Sequence, residues 1–222
     1  MYGSVRSSPA FDLVVLAGSQ GAFRASGEIL AHLPADFSAA VELLHHRAPR
    51  DTDVLPHLLA RRAALPVQQV VDGERPRPGI VYVPPSNRQL QVDPDRRFAL
   101  TPLSTGVARA DPLLASAAGA FGDRMIAVVL SGRLRDGAAG SQAVKLAGGR
   151  VLVQDEATSE CFGMPSATLG TGCADFVLPL GMLGPALTAL VMTPGAAAWL
   201  RVPMPSWAPI AHANGVPRRQ VS

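Results

Sequence analysis

Residues 13–22 read LVVLAGSQGA. Leu13–Ala17 is apolar throughout, without the polar alternation of a half-exposed strand, so it reads as a strand buried on both faces. Gly18-Ser19-Gln20-Gly21 then breaks the run, and a helical spacing of apolar residues follows from Phe23 to Leu33. Strand, tight turn and helix in that order open a parallel α/β unit.

The same rhythm continues along the chain. Ala39–Leu44 reads as a second strand and Pro56–Ala64 as helix; Val67–Val71 and Ile80–Val83 are strand-like. Asp111–Ala120 reads as helix, Met125–Leu130 as a strongly apolar strand, and Ala138–Ala147 as a helix closed by Gly148-Gly149. Val151–Gln154 and Phe176–Leu178 supply the last strands, and Gly184–Met192 the last helix. The class implied is α/β: a doubly wound, mostly parallel sheet with helices on both faces. A C-terminal-half β-hairpin or edge element is expected with it, and Gln89–Val92 with Phe98–Thr101 around Asp93-Pro94-Asp95 reads as a hairpin. The domain spans 11–192, after a lead-in at 1–10. Residues 193–222, rich in proline, read as an extended or disordered tail, with Trp199 and Trp207 as possible pins.

Composition narrows the function. Hydrophobic residues at 48% and charged residues at 17% fit a packed globule. A net charge of +3, without a clustered basic stripe or interleaved aromatics, argues against nucleic-acid binding. Cys161 and Cys173 lack metal-ligand spacing and read as reduced thiols. The start carries no signal-peptide core, and no apolar run approaches the ~20 residues of a membrane span. Cytoplasmic location without membrane insertion is the expectation.

Three segments place reactive side chains at the C-terminal ends of predicted strands, where ligands bind in such sheets. Ser19 sits at the glycine-flanked turn after the first strand, beside helix N-terminal amides suited to an oxyanion. His45-His46 end the second strand in AAVELLHHRAP, and imidazole is the usual proton shuttle for a serine. Asp136 lies in VVLSGRLRDGAAG, between a strand and a helix. Each has a plainer reading alone: Ser19 and Asp136 as helix N-caps, a strand-end histidine as structural. A dinucleotide loop is excluded, since the glycines do not make G-x-G-x-x-G and Glu42 falls inside its strand. The G-x-S-x-G elbow also fails in part, because Ala17 stands at its first glycine.

From about Asp12 to Met192 the sequence resembles the catalytic domain of the CheB family, the protein-glutamate methylesterases of bacterial chemotaxis. GSQGA stands at the family's Ser-Thr-Gly-Gly turn, and LLHHRAP at its strand ending in histidine. PGIVYVPPSNRQLQV resembles its Pro-Gly-x-Val-Tyr hairpin, RADPLLASAA its Pro-Ser-Val-Asp helix start, and VVLSGRLRDGAAG its Thr-Gly-Met-Gly-x-Asp-Gly-Ala loop. VLVQDEATSECFGMPSAT is the closest block. The resemblance implies Ser19 as nucleophile, His46 as general base, Asp136 as the carboxylate orienting it, and Gln20, Gly21 and Arg133 near the substrate or oxyanion. It implies hydrolysis of glutamyl methyl esters on the cytoplasmic helices of methyl-accepting chemoreceptors, with deamidation of certain glutamines, and no cofactor or metal. The family commonly carries a receiver domain ahead of the esterase, for which this chain has no room; a stand-alone enzyme is expected.

Several positions depart from the family. Gln20 replaces a threonine, Arg47 and Arg133 methionines, Leu134 a glycine, and Gln89 a histidine. Arg24, Arg47, Arg133 and Arg135 are all expected at the cleft end of the sheet. The competing readings are a catalytically impaired receptor-binding or signalling module, and an esterase on another substrate.

Overall fold

The computed structural model describes residues 10–48, 53–104, 108–199 and 202. In chain order the elements are β1 (Leu13–Gly18), α1 (Ala22–His32), β2 (Ala40–His45), α2 (Leu55–Ala60), β3 (Val67–Gln69), β4 (Val81–Val83), β5 (Arg88–Val92) and β6 (Phe98–Pro102). They continue with α3 (Ala110–Phe121), β7 (Met125–Val129), α4 (Ala138–Leu146), β8 (Arg150–Gln154), α5 (Gly163–Leu169), β9 (Phe176–Leu178), α6 (Leu180–Met192) and α7 (Ala196–Trp199). Seven strands form one sheet in the order β3-β4-β2-β1-β7-β8-β9, every pair parallel. The order reverses at β1, where the chain winds first towards β2 and later towards β7.

The apolar strands divide their side chains between two cores, as the period of a pleated strand demands. Val14 and Leu16 of β1 pack with Ile29 and Leu30 of α1, Leu59 of α2, and Leu183 and Leu187 of α6. Leu13, Val15 and Ala17 turn to the other face and meet Leu113, Leu114 and Ala117 of α3 with Val144 of α4. Both faces are covered, so the strands carry no polar row. Among the described residues no helix is long and apolar enough to cross a membrane.

The hairpin forms at β5 and β6, but lies before the midpoint of the chain rather than in its C-terminal half. It is a two-stranded sheet of its own rather than an edge of the main one. Leu90, Val92 and Phe98 lay it over the second core, and Phe98 meets the Tyr82 ring edge-on at 4.9 Å. Other differences trace to glycine and proline. α6 begins at Leu180, ahead of the expected Gly184, and runs through Pro185. The short α5, with Gly163 and Pro165 in its first turn, was read only as part of a sequence block. In the segment read as an extended tail, Ala196–Trp199 is helical, since three consecutive alanines favour helix. Its Ala197 carbonyl accepts a hydrogen bond from Arg150 Nη2 at 3.0 Å. Beyond Trp199 only Val202 of that tail is described; the rest, Trp207 included, lies outside the described residues, as does the lead-in up to Pro9.

One buried group opposes the fold. Glu42 occupies the middle of β2 and is 0% exposed, and among the described residues neither carboxylate oxygen has a hydrogen-bond partner. Burial pushes its pKa well above the ordinary carboxylate value, with Arg109 pulling the other way. The folded protein therefore keeps a proton that the unfolded chain releases above pH ~4.3, so the group costs stability increasingly as pH rises through the range between the two pKa values. Glu42→Gln, which needs no proton, is expected to raise the thermal midpoint, and by more at pH 8 than at pH 5. Thermal unfolding at the two pH values checks this; an equal effect at both contradicts it.

Candidate active site

Strand register brings the reactive loops together. Gly18 lies beside His45 in the β1–β2 pair, and one residue on, His46 N–H donates to the Gly18 carbonyl at 3.0 Å. Ala17 lies beside Val129 in the β1–β7 pair, and two residues on, Ser19 N–H donates to the Ser131 carbonyl at 3.0 Å. Ser19 thus stands between His46 and the loop that carries Asp136, at the reversal point of the sheet, where α/β folds bind ligands.

The turn around Ser19 is held from the β7 side. Ser131 Oγ donates to the Gln20 carbonyl at 2.7 Å and accepts from Cys161 N–H at 2.9 Å. Ser131 N–H is itself taken by Gln154 Oε1 at 2.9 Å. Gly21 has φ of 83°, and a Cβ there would lie 2.6 Å from Ser131 Oγ, so both conformation and space require glycine. Gln20 is exposed, and its amide donates to Glu160 Oε1 at 2.9 Å. Among the described residues the N–H groups of Gln20 and Gly21 find no acceptor. They lie at the N-terminal approach to α1, where free amides favour a developing negative charge.

The two histidines separate as alternate residues on a strand should. His45 is 5% exposed, with Nε2 3.0 Å from Ser26 Oγ of α1. Burial, then the neighbouring Arg47 and His46, push its pKa down to about 3, which leaves it neutral at any working pH. His46 is half-buried, and its Nε2 lies 2.7 Å from Asp136 Oδ2. At that short distance the ring N–H is not aimed squarely at the oxygen. Ser19 and His46 line one cleft of about 360 Å³ with Phe23, Val54, Leu55 and Leu58, a largely apolar surround. Among the described residues no hydrogen bond joins the Ser19 hydroxyl to His46.

Asp136 is 9% exposed and caps a helix, though not the one that follows it. Its Oδ2 accepts from Arg109 N–H at 2.7 Å and Ala110 N–H at 2.8 Å, and its Oδ1 from Asp111 N–H at 2.9 Å, all at the start of α3. Asp111 reciprocates at the start of α4, where its Oδ1 accepts from Gly137 and Gly140 N–H at 2.9 and 2.7 Å. Burial alone would raise the Asp136 pKa; the His46 contact and the three amides outweigh it and hold the carboxyl well below the ordinary range. Asp136 is therefore a fixed anion beside an imidazole, the arrangement that stabilises an imidazolium during proton transfer.

The arginines divide. Arg24, Arg133 and Arg135 are exposed. Arg47 lines the cleft as expected but is half-buried there: Nη2 pairs with Asp53 and donates to the Pro84 carbonyl at 2.8 Å. Leu134 has φ of 67° and is 80% exposed, so the position where the resemblance places glycine carries left-handed backbone strain. The braces Asp111 and Gln154 were not singled out from sequence as site residues, although Gln154 lies in the closest-matching block.

Comparison with known proteins places the chain. A family model described as CheB methylesterase matches residues 14–187. The protein-glutamate methylesterase FrzG of Myxococcus xanthus is 38% identical over 182 residues, covering 81% of this chain and 54% of that protein. A protein-glutamate methylesterase/protein-glutamine glutaminase of Moorella thermoacetica is 34% identical over 194 residues, covering 84% of this chain and 46% of that protein. The chain thus spans about half the length of these curated relatives. The crystal structure of the Thermotoga maritima CheB methylesterase catalytic domain superposes with a TM-score of 0.77 at 33% identity, covering 82% of this chain and 99% of that one.

The crossed caps make Asp136 a stability residue as well as a site residue. Asp136→Ala leaves three amides without their acceptor and is expected to cost about 3 kcal/mol. Ser19→Ala, which removes a hydroxyl without a fixed partner, should stay within about 0.5 kcal/mol. Because the Asp136 pKa is depressed on folding, its contribution is present above the unfolded carboxylate pKa of ~3.9 and is lost as pH falls below it. Urea unfolding at pH 7 and pH 3 checks both; a gap between wild type and Asp136→Ala that does not narrow at pH 3 contradicts the ionised cap.

Proposed function

The chain belongs to the CheB methylesterase family, and on that footing we propose that it is a serine esterase acting on glutamyl methyl esters of chemoreceptor helices. Its setting in this reading is the cytoplasm, where those helices are exposed, and certain receptor glutamines are further substrates by deamidation. The observation that carries the reading is the ionised Asp136 at 2.7 Å from His46, with His46 and Ser19 sharing one cleft at the reversal point of the sheet. The names of the relatives supply the substrate class.

The chemistry is acyl transfer. Ser19 Oγ attacks the ester carbonyl carbon and passes its proton to His46. Since Nε2 faces Asp136, Nδ1 is the nitrogen left to accept it. The carbonyl oxygen becomes an oxyanion, for which the unengaged amides of Gln20 and Gly21 are donors. Collapse breaks the C–O bond, and His46 returns the proton to the departing methoxide, releasing methanol. Water then attacks the glutamyl-Ser19 ester, again through His46, and frees both the glutamate carboxylate and the serine. With a glutamine side chain the leaving group is ammonia. The apolar Phe23, Val54 and Leu58 favour a neutral ester over the carboxylate product, which aids release.

Serving as a receptor-binding module without turnover is the second reading. The missing Ser19–His46 hydrogen bond and the strained Leu134 favour it; resting enzymes often tighten that bond only with substrate present. Methanol release from methylated receptor fragments decides between them. The esterase predicts turnover that is abolished in Ser19→Ala and reduced on the order of 10³-fold or more in Asp136→Asn, where the amide favours the wrong histidine tautomer. The module predicts fragment binding without methanol.

Exposed Arg133 offers a second check. Receptor methylation segments are rich in glutamate in this reading, and a cationic rim speeds encounter with them in a salt-dependent way. Arg133→Met is expected to flatten the salt dependence of kcat/KM on receptor fragments and leave turnover of a small neutral ester unchanged or higher. Identical salt slopes in the two proteins would remove Arg133 from recognition.

A further inference from the structure

Beside Asp136, and not among the residues lining the cleft, lies a group of buried polar side chains that the acyl-transfer chemistry does not use. Arg109, at the entry to α3, is 6% exposed. Its backbone N–H holds Asp136 Oδ2 at 2.7 Å. Its carbonyl accepts from Gln89 Nε2 at 3.2 Å, and its guanidinium Nη2 donates to the Arg88 carbonyl at 2.8 Å, both on β5. One residue thus ties the hairpin to the segment that grips the carboxylate. The remaining guanidinium nitrogens, Nε and Nη1, are buried without hydrogen-bond partners among the described residues, as are both oxygens of Glu42 and Oε1 of Gln89.

We propose that Arg109 is a positioning residue for the esterase site, fixing Asp136 through the start of α3 and setting, by its buried positive charge, the field in which His46 gains and loses its proton. The inference rests on the esterase reading given above. A guanidinium does not lose its proton in a protein, so its charge persists at every working pH. Burial and then Arg47 work against that charge, while Asp136 and Glu42 support it. Asp136 is the larger of these two supports, so it is the main anion balancing Arg109. The same carboxylate balances the His46 imidazolium, so the two cations compete for one anion.

The competition has a defined sign. A positive charge near His46 disfavours its protonation, so removing that charge makes the base easier to protonate. The acid limb of the rate profile then moves to higher pH. Other charged or titratable groups around His46 are Asp136, Arg133 and Arg135 on the loop after β7, and Glu42, His45 and Arg47 on β2 and its exit. Among the described residues, Asp53 ahead of α2, Arg88 on β5 and Asp111 on α3 complete the set. The comparison therefore changes Arg109 alone and keeps the rest in place.

The test is the pH dependence of kcat/KM on a glutamyl methyl ester peptide for wild type, Arg109→Lys and Arg109→Met, with Ser19→Ala alongside. In Arg109→Met the acid limb is expected to rise by about one pH unit, and kcat to fall about tenfold with little change in KM. Arg109→Lys keeps the charge but loses the planar contact to β5, so its limb should stay at the wild-type position while kcat falls. If Arg109→Met does not fold, Arg109→Gln, which keeps a donor for the Arg88 carbonyl, carries the same comparison. A merely structural Arg109 would lower activity by a constant factor across pH in both variants and leave the limb unmoved. An unmoved limb with an inactive Ser19→Ala overturns this proposal alone. Activity surviving in Ser19→Ala overturns the esterase reading and this proposal with it.

Discussion

The carboxylate of Asp136 is asked to satisfy two neighbours at once, and much of the site follows from that demand. Its buried oxygens accept three amides from the start of α3, while one of them also faces His46 Nε2. A carboxylate bonded so fully stays ionised. The same bonds join α3 to the loop after β7, and Asp111 returns the favour to α4. Neither helix supplies its own side-chain cap. The two helix starts therefore depend on one another, and the orientation of His46 depends on both.

Around that anion the protein arranges cations at different depths. Arg133 and Arg135 remain in solvent, whereas Arg47 and Arg109 are drawn inward against backbone carbonyls of the hairpin and its approach. Buried charge of this kind adds little net stability, because desolvation consumes most of the attraction. Its value lies in geometry and field. The departures from the family pattern at Arg47 and Gln89 both engage the hairpin and its approach, and Arg47 also lines the Ser19 cleft.

The fold was legible because a doubly wound sheet writes itself in unbroken apolar runs, and Leu13–Ala17 and Met125–Leu130 could hardly be anything but central strands. Ser19, His46 and Asp136 were legible as strand-end residues, since parallel sheets gather such residues at one edge. What escaped is what sequence spacing does not carry. Asp136 was read as a cap for the helix after it, but caps a helix that starts 26 residues earlier. Glu42 was placed inside its strand, yet its isolation from any partner is visible only in three dimensions. Arg47 was assigned to the cleft end by its position after a strand and does line the cleft, but the pairing of its long side chain with Asp53 and Pro84 is not carried by spacing. α5 and the start of α6 escaped because Gly163, Pro165 and Pro185 are breakers by propensity, and tertiary packing overrules them.

The central claim is that Ser19 is a nucleophile activated by His46, and covalent capture tests it most directly. A fluorophosphonate probe is incubated with the full chain and the modified peptide is located by mass spectrometry. The account predicts a single adduct on Ser19, formed slowly or not at all in His46→Ala. An adduct on Ser86 or Ser131 with Ser19 unmodified, or labelling of Ser19 at the same rate in His46→Ala, would contradict it.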